Sequence, residues 1–336
     1  MPLGLFLRFT ACCYKGMNMG IVRRCTFVLG ILITVSVGLC GGAVSSKADA
    51  PGTIIVSDAK SLNHVNLYVA DALGLFKKHG VAVTISETRD QSASLDAVVT
   101  GRADLFWSCP TVGISAIGNG APLKIISQVK SPCSWVLVAG KKSHLTSWRD
   151  LKGKHIAGTS ATCEGVIAYQ KRAKNAGAEF VLETLAGGQA LVALETGKID
   201  GAILEEPYVS SAERKGFSLF FRDTASQVPC RVITARTGYL TENPEALKRF
   251  VAAIQEANSI ILKDPRGTVV TEIAKRYTGI PDHTLKQVIS RLHFTTTIQE
   301  QGLLSLADDL VALKNIRENP GKRLFAKEFR GITWGK

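Results

Sequence analysis

The sequence lacks the short motifs that most often mark a catalyst. No GxSxG elbow, no GxxxxGK[ST] loop and no GxGxxG after the first predicted strand occurs in its 336 residues. That excludes the usual α/β-hydrolase, P-loop and dinucleotide-binding signatures. The six histidines are scattered, and no Ser/His/Asp order suggests a triad. Neither CxxC nor HxxxH spacing is present, so no metal and no cofactor is expected. No run of five basic residues occurs, although the formal charge is +13. A nucleic-acid partner is therefore not expected. No apolar run reaches the roughly 18–20 residues that span a bilayer. No long Pro/Gly/Ser linker divides the chain.

What is present is ordinary globular material, with 46% hydrophobic and 21% charged residues. That length suggests about two domains. The N-terminus reads as an export signal. Arg8, Lys15, Arg23, Arg24 and Lys47 fall before residue 48, and no acid does. Arg23-Arg24 precede an apolar stretch from Cys25 to Leu39, followed by small residues. Signal-peptide organisation has this form. Cleavage after Ala48 fits a small-x-small rule; Ala50 also fits, but Pro51 follows it. Met17 and Met19 are alternative starts. Cys40 is a weak candidate for lipidation, because Leu39 precedes it. Without residues 1–48, 36 basic residues face 28 acids, for a charge of about +8. Four of the eight cysteines remain: Cys109, Cys133, Cys163 and Cys230. An exported chain meets conditions that permit disulfides.

The remainder contains a quasi-repeat. Thr53–Val56 predicts a first strand. Apolar residues at 65, 69, 72, 73 and 76 predict a helix over Val65–His79, capped by Gly80. A strand Val81–Ile85, a helix through Leu95, Val98 and Val99, Gly101, and a strand at Asp104–Phe106 follow. The phrase returns with a helix Ala168–Ala176, Gly177, a strand Glu179–Leu185, a helix through Leu191 and Leu194, Gly197, and a strand Asp200–Leu204. Asp104 and Asp200 each stand three residues past the second glycine. This predicts two α/β lobes built from one unit, with mostly parallel sheets and ligand loops at strand C-termini.

From Pro244 the tail reads as helix. Its stripes are Leu247/Phe250/Val251/Ile254/Ile261, Val270/Ile273/Ala274/Tyr277, Leu285/Val288/Ile289/Leu292 and Leu303/Leu306/Leu310/Leu313. They are read as core packing. Trp135–Val138 and Val232–Ala235 are the strands expected to cross between lobes. Pro132-Cys133 and Pro229-Cys230 precede them. If the crossing strands lie side by side, a Cys133–Cys230 disulfide is expected; two buried free thiols are the alternative.

Several phrases together resemble the periplasmic solute-binding proteins of ABC importers. They include Tyr68-Val69-Ala70, Gly74-Leu75-Phe76-Lys77-Lys78-His79-Gly80, Leu95-Asp96-Ala97 and Gly101-Arg102-Ala103-Asp104. Leu151–Lys154, Glu195–Asp200, Glu206-Pro207-Tyr208 and Asn243-Pro244-Glu245 continue the pattern. The nitrate/sulfonate/taurine and thiamine-pyrimidine branch is the most similar, over about residues 53–300. This resemblance implies an α/β fold of the bilobal type II periplasmic binding protein kind. Two crossing hinge strands would join the lobes, with the helical C-terminal tail on lobe 1. The expected division is residues 53–134 plus 232–336 for lobe 1 and 135–231 for lobe 2. It further implies a periplasmic, monomeric, non-catalytic receptor that closes on a small ligand and docks on an ABC importer permease. The rival reading is an enzyme on the same fold, related to thiamine-pyrimidine precursor synthesis.

The cleft is expected to be lined by the loops after the strands. In lobe 1 these offer Asn63, His64, Arg89, Ser92, Ser108, Cys109 and Thr111. Arg89 is the candidate cationic clamp, with a solvated loop arginine as the alternative. In lobe 2 they offer Thr159, Ser160, Thr162, Cys163, Gly187 and Glu205. The hydroxyls of 159–162 precede a helix and suit either a polar ligand group or plain N-capping. Trp135, like Trp107, suits stacking on an aromatic ligand or core packing. Glu205 and Glu206 disfavour a simple anion unless a cation offsets them. A sulfonate, nitrate, a pyrimidine and an aromatic acid are the candidate ligands.

Overall fold

The computed structural model describes residues 53–220, 222, 224 and 228–330. The expected signal 1–48, its cleavage site and Cys40 lie outside the described residues. Strands β1 (Ile54–Asp58), β2 (Val83–Glu87), β3 (Leu105–Ser108) and β4 (Leu123–Lys130) come first. Strands β5 (Val136–Ala139), β6 (His155–Gly158), β7 (Val181–Thr184), β8 (Gly201–Leu204) and β9 (Ser218–Phe220) follow. Strand β10 (Cys230–Arg236) is last. One sheet has the order β2-β1-β3-β10-β4, the other β7-β6-β8-β5-β9. In the first, β10 runs antiparallel to both neighbours; in the second, β5 does. The remaining neighbours pair in parallel. The chain therefore leaves the first sheet after β4 and re-enters it at β10. Each sheet with its helices is one lobe.

The quasi-repeat is visible bond by bond. Gly80, Gly101, Gly177 and Gly197 all have φ between 68° and 76°. A side chain is strained there, so glycine ends each helix at little cost. After them, the amides of Val81, Arg102, Ala178 and Lys198 each reach back to a carbonyl five residues earlier. The two aspartates then do the same work. The Asp104 carboxylate accepts from the Ile55 amide at 2.9 Å, and Asp200 accepts from the His155 amide at 2.9 Å. Their own amides donate to the Ile55 and His155 carbonyls, each at 2.8 Å. Each aspartate thus pins its strand, β3 or β8, to the start of β1 or β6.

The first helix differs from expectation. It ends as Val65–Ala72, and a second short turn runs Leu75–Lys78. Gly74 at φ +67° breaks it, because a left-handed residue cannot continue a right-handed helix. The tail packs on the first sheet's helices. Leu247, Phe250, Val251, Ile254 and Ile261 are fully buried with Val65, Leu67 and Val69 in one cluster. The helix Glu300–Ala312 packs through Leu303, Leu306 and Leu310 with Ile114 and Val232. Leu313, expected in that stripe, falls past the helix end and is exposed.

The crossing strands need two corrections. Trp135–Val138 does not pair with β10, since β5 belongs to the second sheet while β10 lies in the first between β3 and β4. The two crossovers meet where the Cys133 amide donates to the Val228 carbonyl at 3.2 Å. The expected Cys133–Cys230 disulfide is absent: both are free, buried thiols. The ladder places Lys130, not Cys133, opposite Cys230. The two sulfurs approach within reach of one another but stay unbonded.

Removing a carboxylate that pins a buried strand amide costs about 1–3 kcal/mol. Asp104→Ala should lose that much unfolding free energy in urea. Asp200→Ala, at the more exposed position, should lose less. Unchanged midpoints for both variants would refute the shared pinning role.

Candidate functional site

The C-terminal ends of β1 and β3 open on a buried polar network. Asp58 closes β1. It accepts from the Tyr68 hydroxyl at 2.8 Å and pairs with His64 Nδ1 at 2.6 Å. Burial alone would push the Asp58 carboxyl up. The His64 ring and the Tyr68 hydroxyl outweigh that and hold it below its ordinary range. Burial and the Asp58 charge push the Tyr68 phenol up. The other ring nitrogen of His64, Nε2, is buried without a partner. So are Trp107 Nε1, Ser57 Oγ, Ser108 Oγ and Thr234 Oγ1. The His64 and Trp107 ring centroids are 6.4 Å apart. Buried polar atoms are normally satisfied, so orphans such as His64 Nε2 mark places where another molecule or water belongs.

A second network joins the lobes. Glu205 follows β8. Its carboxylate takes two bonds from Arg231 Nη2, at 2.7 and 2.9 Å, and one from the Asn63 amide at 2.9 Å. Asn63 Oδ1 accepts from Lys130 Nζ, which also donates to Ser134 Oγ at 2.8 Å. Arg231 Nη1 donates to Cys109 Sγ. The Cys109 amide donates to Gln91 Oε1 at 2.9 Å. Lys130 and Arg231 are 0% and 1% exposed. Burial works against the Arg231 charge, but the Cys109 sulfur and Glu205 outweigh it and raise its affinity for the proton. The Cys109 thiol is pushed up by burial, against the pull of Arg231. Arg231 has φ +57° inside β10. Such strain costs about 1–2 kcal/mol for a side-chain-bearing residue and concentrates at functional sites.

A third group sits on the lobe 2 side. The helix Glu164–Asn175 starts behind Cys163. Trp135 Nε1 donates to Glu164 Oε1 at 3.4 Å, and Cys230 Sγ lies 3.8 Å from the same oxygen. Gly165 permits this approach, since a Cβ there would stand 2.3 Å from the Trp135 ring. Burial and Cys230 raise the Cys133 thiol. Burial opposes ionisation of Cys230 too, but the Cys133 hydrogen bond and the Lys130 charge bring it below its ordinary value. Burial and the Glu164 charge push the Cys163 thiol up. Glu164 acts electrostatically on all four cysteines. The sequence spacing hides the meeting of Cys133 and Cys230 beside Glu164; tertiary contacts create it.

Asn63, His64, Ser108, Cys109, Trp135, Cys163 and Glu205 thus come together around these networks. Thr111 is buried in the helix Pro110–Gly118. Ser160 and Thr162 join hydroxyls at 3.2 Å, while Thr159 is exposed. Gly187 lies beneath the Tyr208 ring, where a Cβ would come within 2.5 Å. Arg89 is 85% exposed and pairs with Asp90. Ser92 is exposed as well, and neither joins the networks. Sequence reasoning missed Lys130, Arg231, Glu164 and Asp58. The usable signal was basic residues within otherwise apolar strands, Lys124 and Lys130 in Leu123–Lys130 and Arg231 and Arg236 in Cys230–Arg236.

Known proteins place this arrangement. The periplasmic aliphatic sulphonate binding protein SsuA of Escherichia coli superposes with a TM-score of 0.73 over 84% of this chain and 94% of its own, at 16% identity. The periplasmic nitrate-binding protein NrtA of Synechocystis PCC 6803 gives a TM-score of 0.65, covering 83% and 86%, at 12% identity. The fold is the two-lobed periplasmic binding protein fold. Among curated sequences, the 4-amino-5-hydroxymethyl-2-methylpyrimidine phosphate synthase of Aspergillus parasiticus is 25% identical over 220 residues, 60% of this chain and 64% of that protein. The chain spans less than two thirds of the curated relatives it matches first, at 62%, 64% and 65% of their lengths. The family model described as NMT1/THI5 like matches residues 61–268, and the chain belongs to that family.

Proposed function

We propose that this chain is an exported solute receptor that captures a small polar or anionic organic solute between its lobes and delivers it to an ABC importer permease. The bridge Asn63–Glu205–Arg231 carries this reading. It joins side chains of both lobes at one part-buried point, and Asn63 is followed in the chain by His64, whose Nε2 is buried without a partner. Domain closure around a ligand needs this kind of contact, made only when the lobes approach. Lys130 and Arg231 supply the cationic groups that the sequence reading sought in Arg89. Asn63, His64, Ser108, Cys109, Thr111, Trp135, Ser160, Thr162, Cys163 and Glu205 line or flank the proposed cleft. Thr159 and Gly187 stand at its lobe 2 edge. The names of sulphonate- and nitrate-binding neighbours support solutes of that size and charge. The export signal over 1–48 supports a periplasmic setting, with the crossovers 131–135 and 228–230 as the hinge.

An enzymatic reading draws on a different observation. Cys133 and Cys230 meet beside Glu164, and curated relatives carry the name of a pyrimidine phosphate synthase. One assay separates the two readings. The protein is heated with sulfonates, nitrate, pyrimidines and aromatic acids in turn, and each mixture is checked for product. A bound receptor gains RT ln(1 + [L]/Kd), about 2.7 kcal/mol at a hundredfold excess over Kd. The expected result is a raised melting temperature with one class and the solute recovered unchanged. Turnover of any candidate, with no shift for the rest, would establish the enzyme instead.

The bridge makes its own prediction. With the solute so identified, Asn63→Ala should weaken binding by about tenfold, or ~1.4 kcal/mol, because it removes one tie between solute, Lys130 and Glu205. Calorimetric titration of both proteins measures this. Equal affinities would remove Asn63 from the site.

A further inference from the structure

Three side chains from distant parts of the sequence converge at the base of the lobes. Cys133 lies on the outgoing crossover, Cys230 opens β10, and Glu164 opens the helix behind Cys163. The Cys133 and Cys230 sulfurs and a Glu164 carboxylate oxygen all lie within 4.8 Å of one another. Their residues are 4%, 0% and 0% exposed. Glu164 Oε1 has two long contacts, from the Trp135 indole and the Cys230 sulfur, at 3.4 and 3.8 Å. Glu164 Oε2 has no partner at all and is buried. A buried carboxylate with one orphaned oxygen is costly unless a cation faces it.

The chemistry of the donors is selective. Two sulfurs with one carboxylate oxygen suit a soft or borderline cation; magnesium and calcium take oxygen alone. Two thiolates and a carboxylate carry three negative charges. A divalent cation leaves one, and that residue of charge sits beside two buried cations. Lys130 pairs with Cys230 across the ladder, and Arg231 follows Cys230 in the chain. Spacing in the sequence hides such a set, because the three donors stand at positions 133, 164 and 230.

We propose that Cys133, Cys230 and Glu164 form a buried site for a thiophilic divalent cation, zinc in the first instance. Bound there, the ion ties both crossovers to the first helix of the second lobe. Three protein donors leave a fourth position for water, the arrangement of an open rather than a closed zinc site. The site borders the proposed solute contacts through Trp135 and Lys130, but none of its three donors is needed by a solute, and its test uses none.

The test uses the purified, reduced protein stripped by a chelator. Zinc is titrated against a chromophoric competitor, and cobalt(II) serves as the spectroscopic probe. The expected result is one equivalent of zinc per chain, and a cobalt form with a thiolate-to-metal charge-transfer band and tetrahedral d–d bands. Cys133→Ser, Cys230→Ser and Glu164→Gln should each weaken zinc by at least about tenfold. Cys163→Ser should bind as the unmodified chain does. Where a variant fails to fold, the unmodified protein decides. Zinc should slow alkylation of Cys133 and Cys230, read by peptide mass, and leave that of Cys109 unchanged. No stoichiometric zinc, a cobalt spectrum without the sulfur band, or zinc binding that leaves Cys133 and Cys230 unprotected would each overturn the proposal.

Discussion

A guanidinium held 1% exposed has to find anions inside the protein, and Arg231 finds its carboxylate on the other lobe. The rest of the site follows from that constraint. A buried charge without a partner costs several kcal/mol, so Arg231 ties the position of Glu205, and hence of the second lobe, to its own neutralisation. Asn63 extends the tie to Lys130, the other buried cation. If the lobes part, Arg231 loses its carboxylate and Asn63 loses Glu205, and both must take water or an incoming polar group. Electrostatics and lobe position are thereby coupled through one carboxylate. The left-handed backbone at Arg231 is a local cost that the charge-assisted pair with Glu205 offsets.

The scaffold beneath is built twice from one plan. Each lobe takes a strand, ends two helices on left-handed glycines, and pins its third strand with an aspartate. Repetition places corresponding strand ends, and the loops after them, at equivalent points of the two lobes. What is mounted there differs. The first lobe offers an asparagine, a histidine held by Asp58, and an indole and three hydroxyls without partners. The second offers carboxylates and thiols. The two lobes are alike in backbone and different in the chemistry they mount.

Much of this was legible beforehand because it rests on local rules. A glycine at a helix end, an aspartate three residues on, and a 3.6-residue apolar stripe are each read within a dozen positions. Errors came where a residue's meaning depends on its neighbours across the sheet. Arg89 and Arg231 are the same side chain, and a loop arginine looked the better clamp. The structure leaves Arg89 in solvent beside Asp90 and buries Arg231 in β10. Lys130 was passed over for the same reason, since a charge at the end of an apolar strand reads as a surface terminus. The expected disulfide failed on register: β10 pairs with β4, so Lys130 took the place opposite Cys230.

By itself the sequence determined the two-lobed α/β plan and the helices of the tail. Helix ends, strand pinning and amphipathic stripes are short-range properties, and burial of apolar area enforces them in any context. Only the tertiary structure decided which charges lie inside, which cysteines meet, and that Glu164 stands among them. Those are contacts between residues separated by 26 to 142 positions, as between Glu205 and Arg231 or Asn63 and Glu205. Their energies come from desolvation and from geometry set by sheet register, neither of which has a period along the chain.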